Sequence, residues 1–271
     1  MDVDDYWEYS DPVASEARFR AALAGSDTSR RLELQTQIAR TYSLRRRFTD
    51  AHALLDEVES QLAHADAAPQ VRYLLERGRT YNSAGDPARS LGLFKRAWEQ
   101  ALATGLNGLA VDAAHMLAIV TRDEEAARWT QEGLELARAS NDAKARALLP
   151  ALLNNHAWNL HDGGRYEDAL AVFREAETEW RRTGRQPQGR IATWSVARCL
   201  RSLQRELERE WQKAGGVDGY VFEEIAENFE ALGRLADAKP YYARAAEELG
   251  KDPAFARDEV ARLQRLIERG R

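Results

Sequence analysis

Residues 164–176 read GRYEDALAVFREA, and the arrangement of these residues recurs in three other parts of the chain. A glycine is followed five positions later by a small residue, four after that by an aromatic residue, and three further on by alanine. One copy keeps the spacing with arginine in place of glycine, leucine in place of the aromatic residue and valine in place of the last alanine. Steps of three to five residues favour an amphipathic helix that begins at the turn. The other copies are GDPARSLGLFKRAWEQA at 85–101, GRLADAKPYYARAAEEL at 233–249 and RRFTDAHALLDEVESQL at 46–62.

A second helix is predicted before each of these turns. It carries a small residue and, three positions later, a tyrosine, phenylalanine or leucine. Small residues at fixed positions let two helices approach closely, and the larger side chains fill the space between neighbours. The sequence therefore predicts repeated helix–turn–helix units. The pairs are Ala39 with Tyr42, Gly78 with Tyr81, Ala157 with Leu160, and Ala226 with Phe229.

These residues resemble the tetratricopeptide-repeat (TPR) family, whose unit is a helix–turn–helix of about 34 residues. The resemblance extends from about residue 32 to residue 250, with four units in phase. It implies an all-α fold, a right-handed α-solenoid of about five to six TPR-like units with N-terminal and C-terminal capping helices. We expect one domain over residues 1–271.

Some parts of the chain depart from the repeat. The unit at 107–140 has no glycine at its turn, and residues 190–216 read as a degenerate, shortened unit, one long helix followed by a joint at 214–216. Residues 1–10 are acidic and are expected to form a flexible tail. Aspartate–proline pairs, which favour helix starts, precede a first helix through about Leu23 and a C-terminal capping helix at 253–269.

Composition excludes several classes of protein. The formal charge is −5, so no bulk positive field favours nucleic acid. A single cysteine, Cys199, excludes an intramolecular disulfide framework, and no stretch reaches the roughly 20 apolar residues of a membrane helix. We expect a cytoplasmic protein without membrane contact. No phosphate loop, nucleophile elbow or metal-ligand motif is present, so we expect no catalytic residue, no cofactor and no metal.

Residues 154–162, NNHAWNLHD, crowd polar and aromatic side chains into one helix. Asn154, Trp158 and His161 fall at i, i+4 and i+7 on one face, with Asn155 at its edge. The TPR resemblance implies that the first helix of each unit lines a concave groove, so this face belongs to the groove. The same offsets in other units complete the predicted peptide- or partner-binding residues, which are Arg40, Arg79, Asn82, His115, Trp194, Arg198 and Arg201.

The chemistry of this predicted groove suits a peptide. Asparagine amides can pair with a bound backbone, arginines can clamp a carboxylate, and tryptophans offer apolar anchors. The groove loosely resembles that of the carboxylate-clamp members of the TPR family. We therefore expect a non-enzymatic protein-interaction scaffold whose partner is a protein or peptide with an acidic or carboxylate-bearing segment. The acidic residues 1–10 complement the arginines and are a candidate competitor for the groove.

Other interpretations remain open on the sequence. The arginines could pair with Glu76 or Asp112, and Trp158 and Trp194 could fill the core between repeats. A peptide- or small-ligand-sensing regulator is the alternative function, and single-stranded nucleic-acid binding is a further one. An enzyme would have to use Asn154, His161, Asp162 and His115, which match no catalytic motif.

Overall fold

The computed structural model describes residues 2–183, 186–213 and 218–271, and in these ranges it contains fifteen α-helices and no β-strand. Helical composition, with alanine, leucine, arginine and glutamate abundant, accounts for this. The helices are α1 Pro12–Ala22, α2 Thr28–Leu44, α3 Phe48–Glu59, α4 Ala67–Ser83, α5 Pro87–Ala103, α6 Asn107–Val120, α7 Asp123–Ala139, α8 Ala143–Ala147, α9 Leu149–Asp162, α10 Tyr166–Thr183, α11 Gln186–Lys213, α12 Gly219–Ala231, α13 Leu235–Leu249, α14 Pro253–Asp258 and α15 Val260–Arg269.

The chain divides into two compact units, Met1–Val196 (unit 1) and Ala197–Arg271 (unit 2), and α11 contributes residues to both. In unit 1 the helices pack in sequence order as helix–turn–helix pairs. The first helices of successive pairs also pack on each other, α2 on α4 and α4 on α6. Helix α8 packs on α6, and α9 pairs with α10. The expectation of a single domain over 1–271 stays a prediction.

The repeat signature forms the core of these pairs. Its small first-helix residues, Ala39, Ala157 and Ala226, are completely buried. At Gly78 a β-carbon would lie 2.5 Å from the ring of Phe94, which requires glycine there. The signature therefore marks the places where two helices touch, as the sequence predicted. The buried second-helix residues are Ala51, Leu55, Ser90, Phe94, Ala97, Ala169, Phe173, Ala176, Ala238, Tyr242 and Ala245.

The turns also follow the signature. Gly85, Gly164 and Gly233 have φ of 95°, 76° and 70°, a left-handed conformation that glycine adopts without strain. Arg46 occupies the same place in its unit with φ 61°. In the unit at 107–140 the turn is made differently, with Asp123 at φ 51°.

Unit 2 pairs α12 with α13 and is closed by α15, which packs on α13. The guanidinium of Arg262 donates to both carboxylate oxygens of Glu223 at 2.9 and 2.7 Å. Arg269 pairs with Glu230 at 3.0 Å. These arginines of α15 neutralise two carboxylates of α12.

Two predicted segments differ in detail. The capping helix expected at 253–269 is divided into α14 and α15 at Glu259, whose φ of −117° and ψ of 33° are not helical. In the shortened unit at 190–216, α11 runs continuously to Lys213, and the joint at 214–216 lies outside the described residues. No helix in the described ranges combines the length and hydropathy that a membrane span requires.

Candidate functional site

The first-helix face is the surface of unit 1 formed by α2, α4, α6 and α9, and a row of charged side chains crosses it. Arg79 Nη1 donates to Glu76 Oε1 at 2.7 Å, and Arg79 Nη2 pairs with Asp112 of α6. Arg40 of α2 lies 3.5 Å from the same Glu76 oxygen. Because α4 packs between α2 and α6, its Glu76 and Arg79 reach both neighbours.

His115 and Asn155 extend this row to α9. Asn155 Nδ2 lies 2.9 Å from His115 Nε2. Burial lowers the pKa of His115, and the charges of Arg79 and Arg40 lower it further, against the opposing effect of Asp112. The imidazole is therefore neutral near pH 7 and can accept the Asn155 hydrogen bond.

Burial and charge act against each other in the Arg79–Asp112 pair. Burial disfavours both charged forms, but the attraction to Asp112 and then Glu76 outweighs it and raises the pKa of Arg79. Likewise burial is outweighed by Arg79 and Arg40, which hold the pKa of Asp112 below its usual value. Both groups stay ionised. The charge of Arg79 is thus paired within the protein, with Glu76 and Asp112, which is the alternative that the sequence left open.

The N-terminal segment, residues 2–9, lies against this face. Arg72 of α4 donates from Nη1 and Nη2 to the two carboxylate oxygens of Asp4, both at 3.2 Å. Lys144 of α8 pairs with Asp2 at 2.7 Å and with Asp4 at 3.3 Å. Burial disfavours the charged ammonium, yet the hydrogen bond to Asp2 and the charge of Asp4 outweigh it and raise the pKa of Lys144. The acidic end of the segment is therefore bound by two cations.

The aromatic end of the segment lies on α1 and α2. Trp7 Nε1 donates to Gln37 Oε1 at 3.0 Å, and the Trp7 ring meets Phe19 edge-on at 5.1 Å between centroids. Tyr9 stacks on Trp7 at 4.9 Å, and the guanidinium of Arg40 lies 5.3 Å from the Trp7 centroid. Arg40 therefore offers a cation–π contact to the segment.

These contacts give residues 2–9 a defined place, whereas the sequence led us to expect a flexible tail at residues 1–10. Residues 3–6 form a 3₁₀ turn, capped by Asp2, whose side chain accepts from the backbone of Asp4. Val3 is only 1% exposed and belongs to the hydrophobic core of unit 1. The composition of these residues favours a frayed end. Their acidic, valine and aromatic side chains nevertheless contact residues that are distant in the sequence.

The other predicted site residues lie in several places. Trp158 contacts Phe173 at 4.9 Å, His161 at 5.0 Å and Trp194 at 6.1 Å between ring centroids, which makes an aromatic cluster of α9, α10 and α11. His161 is buried, and half of the Trp194 side chain is exposed. Asn82 and Asn154 are half-buried on α4 and α9, while Arg198 and Arg201 lie on the part of α11 that belongs to unit 2.

Three residues that hold the N-terminal segment were missed on the sequence. Gln37 precedes Arg40 by three positions and Arg72 precedes Arg79 by seven, so each shares a helix face with a predicted residue. Extending the groove offsets by one or two turns toward the helix start would have found both. Lys144 lies on α8, a five-residue helix outside the repeat pattern, where Asp142 caps the helix start.

A cleft of about 900 Å³ opens between the α6–α7 turn and the C-terminal half of α9. Its lining includes Ile119, Arg122, His156, Trp158 and Arg165. Burial, and then the charges of Arg165 and Arg138, lower the pKa of His156. In the described ranges, no group of three or more histidine, cysteine, aspartate or glutamate side chains is placed to hold a metal ion.

Comparison with protein-family models gives no match, and comparison with curated proteins gives none. Solved structures do match. RapI in its apo form has a TM-score of 0.55 and 14% identity, over 93% of this chain and 100% of RapI. Aspartyl phosphate phosphatase F from Bacillus subtilis has a TM-score of 0.52 and 15% identity, over 100% of this chain and 79% of the phosphatase.

A signal transduction ATPase with numerous domains (STAND) from Pyrococcus horikoshii, with a tetratricopeptide repeat sensor, is similar at a TM-score of 0.58 and 13% identity. The match covers 94% of this chain, which spans 41% of that protein. Identities this low show the fold alone. Together with helices packed in sequence order, they define the chain as an all-α protein with a TPR-like α-solenoid fold.

Proposed function

We propose that this protein is a non-enzymatic interaction scaffold that binds a peptide or partner segment on the first-helix face of unit 1. One observation carries the proposal. The chain's own residues 2–9 already lie on this face and make the kinds of contact that a bound peptide makes. A surface that accommodates a short acidic and aromatic segment in cis has the shape and chemistry to accept one in trans.

The chemistry of recognition follows from the groups on the face. Arg72 presents a planar fork that matches a carboxylate in two hydrogen bonds, and Lys144 adds a second cation. Gln37 accepts from an indole N–H, and Arg40 lies over aromatic rings. Arg79 and Asp112, which are 11% and 20% exposed, pair with each other and join α4 to α6.

A second candidate, the sensing of a small ligand, is favoured by the cleft near α9. Its volume of about 900 Å³ is in the range of small-molecule sites, and it combines Trp158 with Arg122 and Arg165. Such a ligand would act as a regulator of the scaffold rather than as a substrate.

The test compares partner capture by full-length protein with that by two charge-reversal variants. Lys144→Glu reverses a cation of α8 that pairs with the segment on the first-helix face and is 44% exposed, so folding is expected to tolerate it. Arg96→Glu makes the same charge change at an exposed position of the second helix α5 and is the matched control. Captured material is assayed for both protein and nucleic acid.

We expect a partner protein that is retained by the wild type and by Arg96→Glu and reduced at least tenfold by Lys144→Glu. Equal capture by all three proteins would contradict a role for the first-helix face. Capture of nucleic acid by the wild type, lost steeply with added salt, would replace the peptide interpretation.

A further inference from the structure

The side chains that attach residues 2–9 also define the partner. We propose that the N-terminal segment is an internal occupant of the binding site, and that the external partner is an acidic peptide with two aromatic residues that displaces it. This proposal rests on the proposed function and adds to it the sequence class of the partner. The pattern to be matched is Asp2, Asp4, Trp7 and Tyr9, that is, two acids two positions apart and then two aromatics.

The segment contacts the first-helix face and α8 through its side chains. In the described chain, the polar contacts from residues 2–7 to α2, α4 and α8 join side chain to side chain. For residues 2–7 the backbone hydrogen bonds stay inside the segment, as from Trp7 N to the carbonyl of Asp4, whereas the backbone of Glu8 is bonded to the hydroxyl of Ser15 in α1. A surface that reads side chains selects a sequence pattern, whereas one that pairs with the backbone accepts any extended chain.

The charges around the segment favour an acidic occupant. Within the described residues, the ion pairs of Lys144 are those to Asp2 and Asp4, and Asp4 takes two of the hydrogen bonds of Arg72. The side chain of Arg72 is only 7% exposed and keeps Glu33 as its other carboxylate. Removing the segment therefore takes one carboxylate from Arg72 and both carboxylates from Lys144, and an acidic occupant can restore these charge-assisted hydrogen bonds. A neutral or basic peptide cannot make this exchange.

The aromatic half of the segment makes contacts of its own. Trp7 fills the space beside Phe19 and donates to Gln37, and Arg40 lies 5.3 and 5.7 Å from the Trp7 and Tyr9 centroids. Tyr9 is 59% exposed, so its ring lies at the edge of the contact. A competing peptide must supply an indole or a similar donor-bearing ring at the Trp7 position.

The connection to the body of the protein sets the strength of the competition. Residue 9 is followed at once by Ser10, Asp11 and α1, so the segment stays near the face at an effective concentration on the order of millimolar. The site is therefore largely occupied in cis, and a matching peptide binds the intact protein weakly. Weakening the segment is expected to uncover the full affinity.

The experiment uses the chain's own sequence as the probe. A fluorescently labelled, N-acetylated peptide DVDDYWEYS, residues 2–10, is titrated against full-length wild type and full-length D2K/D4K, and binding is followed by anisotropy. The two lysines face Arg72 and Lys144 and repel the segment from the face. We expect the dissociation constant to be at least tenfold lower for D2K/D4K than for the wild type. Adding Lys144→Glu to D2K/D4K should remove this gain, and a peptide with both acids replaced by lysine should bind neither protein.

A second, milder variant keeps the test valid if D2K/D4K fails to fold. Asp4→Asn keeps the size of the side chain and removes its charge, so it weakens the attachment without repulsion, and a several-fold lower dissociation constant is expected. Circular dichroism of each variant accompanies the titrations. Equal peptide affinity for the wild type and both variants, or no binding to any of them, would overturn the proposal and leave the segment a structural brace.

The outcomes separate this proposal from the proposed function. If the peptide fails to bind but Lys144→Glu still loses a captured partner, the face binds a partner of other chemistry, and only the present inference is wrong. If the peptide binds D2K/D4K tightly while partner capture is identical for all variants, the segment is an internal ligand without an external competitor.

Discussion

At the scale of single residues, the positions of charged side chains were easier to predict than the groups with which they pair. The repeat offsets selected Arg40, Arg79 and His115, and these do lie together on the first-helix face. Sequence offsets give the helix face on which a side chain lies but not its burial. Burial decides whether an arginine can reach a binding partner or pairs with neighbouring residues of the protein. Arg79 is 11% exposed and paired twice, whereas Lys144, outside the repeat pattern, is the more exposed cation.

Arg79→Glu should therefore be a stability variant. It would place three carboxylates together, those of residue 79, Glu76 and Asp112, in a buried site that also leaves Glu76 Oε2 without a hydrogen-bond partner among the described residues. Breaking a buried ion pair and leaving its partners unpaired costs about 3–5 kcal/mol. Chemical denaturation monitored by circular dichroism measures this loss.

The matched control for Arg79→Glu is Asn82→Ala, three residues later on the same helix face and half-buried, for which we expect a loss of less than about 0.5 kcal/mol. Comparable stability of Arg79→Glu and the wild type would mean that Arg79 is free to serve a ligand instead.

At the scale of helices, periodicity determined most of the fold. The small and aromatic positions of the repeat predicted which residues touch, and the buried positions agree in four units. Features that rest on a single residue escaped prediction. No glycine or proline marks the interruption at Glu259, and the short helix α8 follows only from the aspartate cap at Asp142. The charge complementarity of the N-terminal segment was recognised on the sequence, but its specific partners on α2, α4 and α8 were not, because periodicity carries no information about such distant contacts.

Arg46 offers a test of the turn geometry. It adopts φ 61° at the position where other units have glycine, and a non-glycine residue pays roughly 1–2 kcal/mol for the left-handed conformation. Glycine removes this strain but gains freedom in the unfolded chain, so Arg46→Gly should stabilise the protein by about 0.5–1 kcal/mol. Thermal unfolding should show a melting temperature higher by about 1–4 °C.

The control for Arg46→Gly is its neighbour. Arg47 has φ −85° and pairs with Asp50 at 2.7 Å, so Arg47→Gly should not stabilise and should lower the melting temperature slightly. Stabilisation by both substitutions would point to an effect of charge removal rather than of backbone strain.

At the scale of the whole molecule, the two units differ in their response to acid. All five histidines of the sequence, at positions 52, 64, 115, 156 and 161, belong to unit 1. Burial lowers the pKa of His52, His115 and His156 below the ordinary value of 6.5, and nearby arginines lower it further in each case. Between pH 7 and 5 these are the groups with altered pKa that change protonation, because the shifted carboxyl groups titrate below this window.

The sign of the effect follows from proton linkage. A histidine whose pKa is lowered on folding binds fewer protons in the folded than in the unfolded state, so folding stability rises with pH between the folded pKa and 6.5. Acidification from pH 7 to 5 should therefore destabilise unit 1 and leave unit 2 unaffected.

Hydrogen–deuterium exchange, corrected for the intrinsic pH dependence of the rate, should show lost protection in α3, α6 and α9 and none in α12 and α13. His115→Gln should reduce the loss in α6, whereas His64→Asn, at an exposed position, should leave it unchanged. An equal loss of protection in α12 and α13 would contradict the histidine origin, since no imidazole belongs to unit 2.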